Sequence, residues 1–260
     1  MGKLPQITAL FWALKMAGTT LGETGGDQIS EAMHVGYLAT FFLFMAIFLI
    51  AVTAQVRAGR LIPALYWTVI VATSAAATEM SDFIDRTIGL GPVTGLMIMA
   101  APLALVYTMG RSTGGSFSVT DIKSRKAEVM YWTTILTTNT IGTAVGDGLA
   151  NSLGIPLSTL LVSIVMGAII WAYFNTKISR VALFWAAFVM TRPLGATGGD
   201  LLWKPHSEGG MALGRINVSL VLITVIVGLV IYATKRLQEQ RQLASANPLS
   251  SDYGLAPRAN

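Results

Sequence analysis

The stretch FWALKMAGTTLGETGGD, residues 11–27, places an aspartate fifteen positions after Trp12, and the chain repeats this pairing three more times. An aromatic residue directly precedes each of these tryptophans. Chance seldom places an aspartate at one fixed distance from four tryptophans, so the pattern predicts an internal repeat. The other copies are YWTVIVATSAAATEMSD at 66–82, YWTTILTTNTIGTAVGD at 131–147 and FWAAFVMTRPLGATGGD at 184–200.

Each copy also carries two small residues, ten and fourteen positions after its tryptophan. Such small-xxx-small pairs let helices approach closely in a membrane, where lipid supplies no hydrophobic drive for association. Successive tryptophans are 55, 65 and 53 residues apart, which leaves room for two membrane helices per repeat. The pairs are Gly22 and Gly26, Ala77 and Ser81, Gly142 and Gly146, and Gly195 and Gly199.

The composition is typical of a membrane protein. Hydrophobic residues make up 53% of the chain and charged residues only 12%, whereas a soluble domain carries about twice that share of charge. We therefore predict an all-α, polytopic integral membrane protein with about eight transmembrane helices, arranged as four pseudo-repeated helix pairs. The predicted spans are 6–24, 34–56, 61–81, 91–110, 128–147, 155–175, 179–199 and 213–234.

A basic loop divides the chain into two halves. Residues 1–110 hold repeats one and two, residues 111–127 form a cytoplasmic loop, and residues 128–236 hold repeats three and four. The polar segment 237–260 is predicted to be a disordered cytoplasmic tail. The chain has no cysteine, which excludes disulfides, thiolate metal sites and cysteine nucleophiles.

The distribution of charge predicts the orientation. Of the 18 Lys and Arg residues, 13 fall on one side of the predicted spans and three on the other. The positive-inside rule therefore places both termini in the cytoplasm. The repeats then run parallel to one another, as in several transporter families. The odd-numbered helices carry the polar residues and are expected at the centre, with the aliphatic even-numbered helices toward lipid.

The repeated aspartates predict a cluster of carboxylates. Fifteen residues of helix rise about 22 Å, so each aspartate lies in the outer half of the membrane if its tryptophan marks the cytoplasmic interface. Two glutamates lie about one turn below that level. Clustered carboxylates repel unless protons or a cation neutralise them, and an all-oxygen site suits hard cations such as Mn²⁺, Mg²⁺ or Ca²⁺. The candidate metal ligands are Glu23, Asp27, Glu79, Asp82, Asp147 and Asp200.

Three further residues are expected to tune this site: Lys15, Asn139 and Arg192. Lys15 and Arg192 are the basic residues that lie well inside the predicted spans, away from the span ends, and both lie below the level of the acids. A cation inside a membrane is costly and usually faces an interior partner. Each is therefore predicted to act as an internal counter-ion while no transported cation is bound.

Simpler interpretations stay open for several of these residues. Each repeat aspartate could instead cap a helix by accepting hydrogen bonds from free backbone amides, and Asp27, followed by Gln-Ile-Ser-Glu31, fits such a cap. The tryptophans are predicted to anchor their helices at the membrane interface. The small-residue pairs are predicted to serve packing.

The stretches GTTLGETGGD, ATEMSDF, TTNTIGTAVGD and TRPLGATGGD resemble a family of bacterial uncharacterised membrane-anchored proteins with four tandem two-helix repeats, each carrying a tryptophan. The resemblance covers residues 7–234 and implies the repeat architecture without a settled function. The chain is also similar, more weakly, to the Glu-x-Gly-Asp cation/proton exchangers for calcium and manganese. Ser81 replaces the glycine of that motif, and one extra residue separates Glu23 from Asp27.

These features predict an inner-membrane secondary transporter of a small cation, a divalent metal of the Mn²⁺ type exchanged against protons. The expected partners are the lipid bilayer, the cation and protons, with no nucleic acid, and a homo-oligomer stays open. No Walker A sequence occurs, and we expect neither enzyme activity nor a permanently bound cofactor.

Three alternatives remain. In a non-transporting sensor or scaffold, Lys15 and Arg192 would pair permanently with acids. For an intramembrane enzyme, the chain offers no H-E-x-x-H string, and a carboxylate cluster alone specifies no reaction. An anion transporter would use Lys15 and Arg192 as its binding charges, against the excess of outer acids.

Overall fold

A computed structural model describes residues 5–91 and 125–246, and these residues form helices and no strands. Seven α-helices fall within the two ranges. They are α1 (Ala9–Asp27), α2 (Tyr37–Ala58), α3 (Pro63–Asp82), α4 (Arg125–Leu153), α5 (Ile155–Asn175), α6 (Arg180–Trp203) and α7 (Arg215–Ala246).

The observed helices match seven of the predicted spans to within several residues at most ends. The exception is α7, which continues to Ala246, so the first part of the predicted disordered tail is helical. Helix α4 begins at Arg125 and takes in the last residues of the predicted loop. The predicted fourth span, 91–110, and the rest of the loop lie almost entirely outside the described residues.

Three of the described helices are long and apolar enough to cross a membrane, which marks the chain as a membrane protein. They are α2, α5 and α7, and in the apolar windows of α2 and α5 only 17% of the residues are buried by the rest of the protein. In water such exposed aliphatic faces would be costly, but against lipid tails they are favourable.

The other four described helices form a closed ring. Helix α1 packs against α3 and α6, and α4 packs against the same two helices. We call α1, α3, α4 and α6 the core ring. The remaining helices, α2, α5 and α7, lie outside the ring. Each follows one ring helix in the sequence and packs mainly against the next ring helix around the circle: α2 on α3, α5 on α6, and α7 on α1. The return of α7 to α1 closes the circle.

Close contacts within the ring depend on the small residue ten positions after each tryptophan. A Cβ atom built on Gly22 would lie 2.4 Å from the Cβ of Ser74 and 2.8 Å from the backbone nitrogen of Ala75. The same relation recurs around the ring, because each such glycine meets the residue seven positions after the next tryptophan. Gly22 meets Ser74, Gly142 meets Arg192, and Gly195 meets Thr19.

Contrary to the prediction, not all of the repeat tryptophans are exposed to anchor their helices among lipid headgroups. Trp67 is 3% exposed and Trp132 is 2% exposed, so the anchor interpretation is wrong for these two. Each aromatic residue that precedes a tryptophan contacts the tryptophan of the next repeat around the ring, with ring centroids 5.3 to 6.2 Å apart. The pairs are Phe11 with Trp67, Tyr66 with Trp132, Tyr131 with Trp185, and Phe184 with Trp12. We call these eight residues the aromatic layer.

The close approach of α1 and α3 predicts that Gly22→Ala destabilises the protein. The added methyl group would overlap backbone atoms of α3, which cannot rotate away, so we expect a loss of about 1–3 kcal/mol. Thermal unfolding in detergent measures this. Gly167→Ala on α5 is the matched control, because no atom lies within 4 Å of its Cβ position. Equal stability of the two variants would contradict the packing described.

Candidate functional site

The four repeat aspartates belong to helices and do not cap them. Asp27 and Asp82 are the last residues of α1 and α3, and each helix continues into a five-residue π-helical turn. Neither side chain makes a capping hydrogen bond. Asp147 and Asp200 lie inside α4 and α6. The helix-cap interpretation is therefore wrong, and the side chains are free for another role.

Equivalent positions of the four repeats line the interior of the core ring in successive layers, which we call the core axis. The residues three, seven and eleven positions after each tryptophan are all buried, and none is more than 5% exposed. From the aromatic layer outward, the first layer is Lys15, Ile70, Ile135 and Phe188. The second is Thr19, Ser74, Asn139 and Arg192, and the third is Glu23, Thr78, Thr143 and Ala196.

Arg192 forms a fully buried ion pair across the axis. Its Nη2 lies 3.0 Å from Oε2 of Glu23 and 3.3 Å from the carbonyl oxygen of Ser74, and it also contacts the Thr78 hydroxyl. Its Nη1 donates to the carbonyl oxygen of Thr19 at 3.2 Å. The Thr78 hydroxyl donates in turn to Glu23 at 3.0 Å. Arg192 is thus paired with an acid, and its role as a counter-ion for a transported cation stays a prediction.

Lys15 is also fully buried, but its partners are neutral. Its Nζ donates to Oδ1 of Asn139 at 3.3 Å and lies 4.0 Å from the ring centre of Phe188. The amide of Asn139 donates onward to the Thr73 hydroxyl at 3.2 Å. Among the described residues, no carboxylate pairs with Lys15. The expectation that Lys15 is a counter-ion to the acids is therefore not met by this geometry.

The carboxylates gather at the end of the axis opposite the aromatic layer. Oxygens of Glu23, Asp27 and Asp200 lie within 4.8 Å of one another, and so do oxygens of Asp27, Glu31 and Asp82. Asp27 belongs to both groups and connects them. We call the carboxylates of this end, together with Glu79 and Asp147, the acid cluster. Carboxylate triads of this size match the all-oxygen ligand sets of hard divalent cations.

Two arginines hold the outermost acids. Arg215, at the start of α7, lies 2.7 Å from Glu31 and 3.7 Å from Asp27 through its Nη2. Arg86, after α3, contacts Glu31 and lies 3.4 Å from Asp82 through its Nε. Glu31 is therefore shared by two guanidinium groups. This network joins the ends of α1 and α3 to the beginning of α7.

Lys204 pairs with a further acid, Asp200, at 2.8 Å. Burial alone would lower the pKa of Lys204, but the charge of Asp200 and the hydrogen bond to it outweigh burial and raise that pKa. For Glu31, burial would raise the pKa, but the hydrogen bond from Arg215 and the charge of Arg86 leave the pKa below its ordinary value. Both groups are therefore held in their charged forms at neutral pH.

Glu79 and Asp147 have no basic partner among the described residues. Neither oxygen of Glu79 accepts a hydrogen bond there, although the side chain is fully buried. Its Oε1 lies against Gly26, where a Cβ atom would be 2.7 Å away. The nearby Ser30 hydroxyl donates to a backbone carbonyl instead. Asp147 accepts one hydrogen bond, from Ser81 at 3.1 Å.

The structure thus brings all six predicted ligands to one end of the axis, and it adds residues that the sequence analysis did not assign to the site. Three of these lie four positions after a repeat aspartate: Glu31, Arg86 and Lys204. That spacing places each on the same helix face as its aspartate, so the repeat pattern held the signal. Arg215 lies outside the repeat alignment, and only the packing of α7 on α1 brings it to Asp27.

The family described as Repeat of Unknown Function (DUF347) matches residues 10–60, 130–179 and 183–237. These three segments cover more than half of the chain, which therefore belongs to this family. No curated protein and no solved structure matches the chain.

The Arg192–Glu23 pair predicts a large effect of removing one partner. Arg192→Met leaves the Glu23 carboxylate buried without its counter-ion, which typically costs about 3–5 kcal/mol. Adding Glu23→Gln removes the stranded charge and should restore most of the lost stability. Unfolding free energies of the single and double variants in detergent test this, and a double variant no more stable than Arg192→Met would contradict it.

The lowered pKa of Glu31 predicts an acid-labile contribution to stability. A group whose folded pKa is lowered stabilises the fold above its ordinary pKa of about 4.3, and this contribution is lost as pH falls through the folded value. The wild-type protein should therefore have a higher melting temperature than the Glu31→Gln variant at pH 7, and this difference should vanish in strong acid. Glu208→Gln, at an exposed site, is the control. A difference independent of pH would refute the assignment.

Proposed function

We propose that this repeat protein is a secondary transporter of the bacterial inner membrane, which exchanges a small divalent cation of the Mn²⁺ type against protons through the acid cluster. We assign it no enzymatic reaction and no permanently bound cofactor. The proposal includes eight spans in four parallel pairs, with both termini in the cytoplasm. It rests on the position, burial and partners of the carboxylates described above.

The family match supports the paired repeats. Each matched segment contains one helix of the core ring and most of the helix after it: α1 with α2, α4 with α5, and α6 with α7. The remaining ring helix, α3, lies in the unmatched stretch and carries the same Trp67-to-Asp82 spacing. We therefore propose that α3 begins a fourth pair, whose second helix would be the predicted span 91–110, most of it outside the described residues.

Glu79 is the observation that carries the proposal. A buried carboxylate without hydrogen bonds costs several kcal/mol unless a proton or a cation satisfies it. Both of its oxygens are buried without a partner among the described residues, and so is Oδ1 of Asp27. A cation bound among these oxygens would supply the missing interactions, and protons would do so when the cation leaves.

The balance of charge supports exchange of one divalent cation against protons. The acid cluster holds seven carboxyl groups, and four basic groups pair with five of them. Glu79 and Asp147 are the two acids left without a basic partner, and one divalent cation or two protons would neutralise these two. The four basic groups are Arg86, Arg192, Lys204 and Arg215.

The two ends of the axis differ in access. At the acid end, Glu31 and Arg86 are 27% and 47% exposed, whereas the aromatic layer fills the opposite end. A cation can therefore approach from the outer side, and its release to the cytoplasm requires the aromatic layer to open. Such alternation between two sides is how parallel and inverted repeats operate in other transporters.

One set of observations favours a second candidate, a non-transporting sensor or scaffold. Arg192, Arg86, Arg215 and Lys204 already pair with acids, as a static polar core would require. Such a protein would bind little metal and would not move it. The two candidates therefore differ in a measurable flux.

The test is Mn²⁺ exchange in proteoliposomes, together with Mn²⁺ binding by the purified protein. We expect the wild-type protein to exchange Mn²⁺ across the membrane. The double variant Glu79→Gln with Asp82→Asn should bind Mn²⁺ roughly tenfold or more weakly, since even outer partners of a metal site contribute that much. The flux should fall accordingly.

Glu208→Gln is the matched control, because Glu208 is an exposed acid on the same side as the cluster. Unchanged flux in the folded double variant would refute the role of the acid cluster. Absence of flux and binding in the wild-type protein would favour the sensor or scaffold.

A further inference from the structure

Lys15 is a buried ionisable group that the proposed cation site does not use. It lies in the first layer of the core axis, directly outward of the aromatic layer, and is 0% exposed. Arg192 and Glu23 lie one and two layers farther out, and the rest of the acid cluster lies at that end. An opening of the aromatic layer would therefore bring the cytoplasm to Lys15 before any of the acids.

The surroundings of Lys15 suit both of its protonation states. As an ammonium it donates to Asn139 and lies over the ring of Phe188, a favourable position for a cation. As a neutral amine it can keep the same hydrogen bond to the amide oxygen. No carboxylate among the described residues pairs with it and fixes the charge.

One charged side chain acts on Lys15 from the helices around it, namely Arg192 on α6. At this level α3 and α4 contribute the neutral Thr73 and Asn139. Helix α7 also packs on α1, but its Arg215 faces Asp27 and Glu31. Among the described residues, the charge that acts on Lys15 is therefore of the same sign as the ammonium.

We propose that Lys15 carries the exchanged proton on the cytoplasmic side of the axis and excludes the cation while it is protonated. This inference rests on the proposed function. For outward proton movement, the lone pair of Nζ takes a proton from a cytoplasmic hydronium, which leaves water, and the new charge weakens cation binding in the acid cluster by repulsion. An N–H bond of the ammonium then breaks with its electron pair left on Nζ, and the proton passes through water to a carboxylate of the cluster, which releases it on the outer side. Inward movement follows the same steps in reverse.

Other groups in the inner part of the axis cannot take this role. Arg192 keeps its charge in proteins. The hydroxyls of Tyr66 and Tyr131 bond to each other at 2.7 Å within the aromatic layer. The six candidate ligands lie outward of Lys15 and bind the cation itself. Within the first and second layers of the core axis, Lys15 is thus the described residue that can gain and lose a proton without leaving its contacts.

The test compares two Mn²⁺ fluxes in proteoliposomes. The first is the exchange of Mn²⁺ inside the vesicles for Mn²⁺ outside, which moves no net proton. The second is proton movement driven by a Mn²⁺ gradient, which a pH-sensitive dye reports. Lys15→Gln should retain Mn²⁺ exchange and lose the proton movement. Lys177→Gln, at an exposed cytoplasmic link, is the control and should retain both.

Two variants address the charged state directly. Lys15→Arg places a permanent positive charge at this position. Asn139→Asp gives Lys15 a carboxylate partner, which keeps the amine in its protonated form. Both should lose proton movement, and Lys15→Arg should also bind Mn²⁺ more weakly. If Lys15→Gln does not fold, these two variants decide the outcome.

Proton movement at the wild-type rate in Lys15→Gln, or in both charge-fixing variants, would overturn the role of Lys15. Mn²⁺ exchange would persist in that case, and the proposed function would stand. Absence of Mn²⁺ exchange in the wild-type protein would instead overturn the proposed function, and the role of Lys15 with it.

Discussion

The guanidinium group of Arg192 determines how closely three helices of the core ring must lie. It starts on α6 and reaches the carbonyl oxygens of Thr19 on α1 and Ser74 on α3, together with the carboxylate of Glu23. A buried guanidinium needs acceptors for its N–H groups, so these helices cannot separate without leaving it unsatisfied. Gly142 on α4 lies against the base of the same side chain and brings the fourth helix into place.

The ring is polar at one end and aromatic at the other, and both ends follow from the repeat. Every ring helix runs in the same direction, so its aromatic pair and its aspartate reach the same levels as those of its neighbours. Each aromatic residue then meets the tryptophan of the next helix, through all four contacts of the circle. The acids are consequently gathered where repulsion between them must be offset by basic groups, protons or a cation.

Much of the axis could be predicted from spacing alone. The four aspartates placed by the Trp-to-Asp interval and the two glutamates one turn below them do lie together, because a straight helix converts sequence separation into depth. The depth of Trp67 and Trp132 was also predictable, but their contacts were not. A tryptophan at the end of a helix can face headgroups or a neighbouring helix, and the rotation of the helix decides which. The same limit applies to Lys15, whose partners come from two other helices.

The sequence by itself determined the repeat, the helical membrane character and the common depth of the acids, because hydropathy and helical rise act along one segment at a time. The tertiary structure alone decided the circular order of the ring, the return of α7 to α1 and the ion pairs that join different helices, such as Arg192 with Glu23. Those depend on how helices rotate and pack against one another. Arg215 contacts Asp27 although the two residues are 188 positions apart in the sequence. No local pattern encodes that contact.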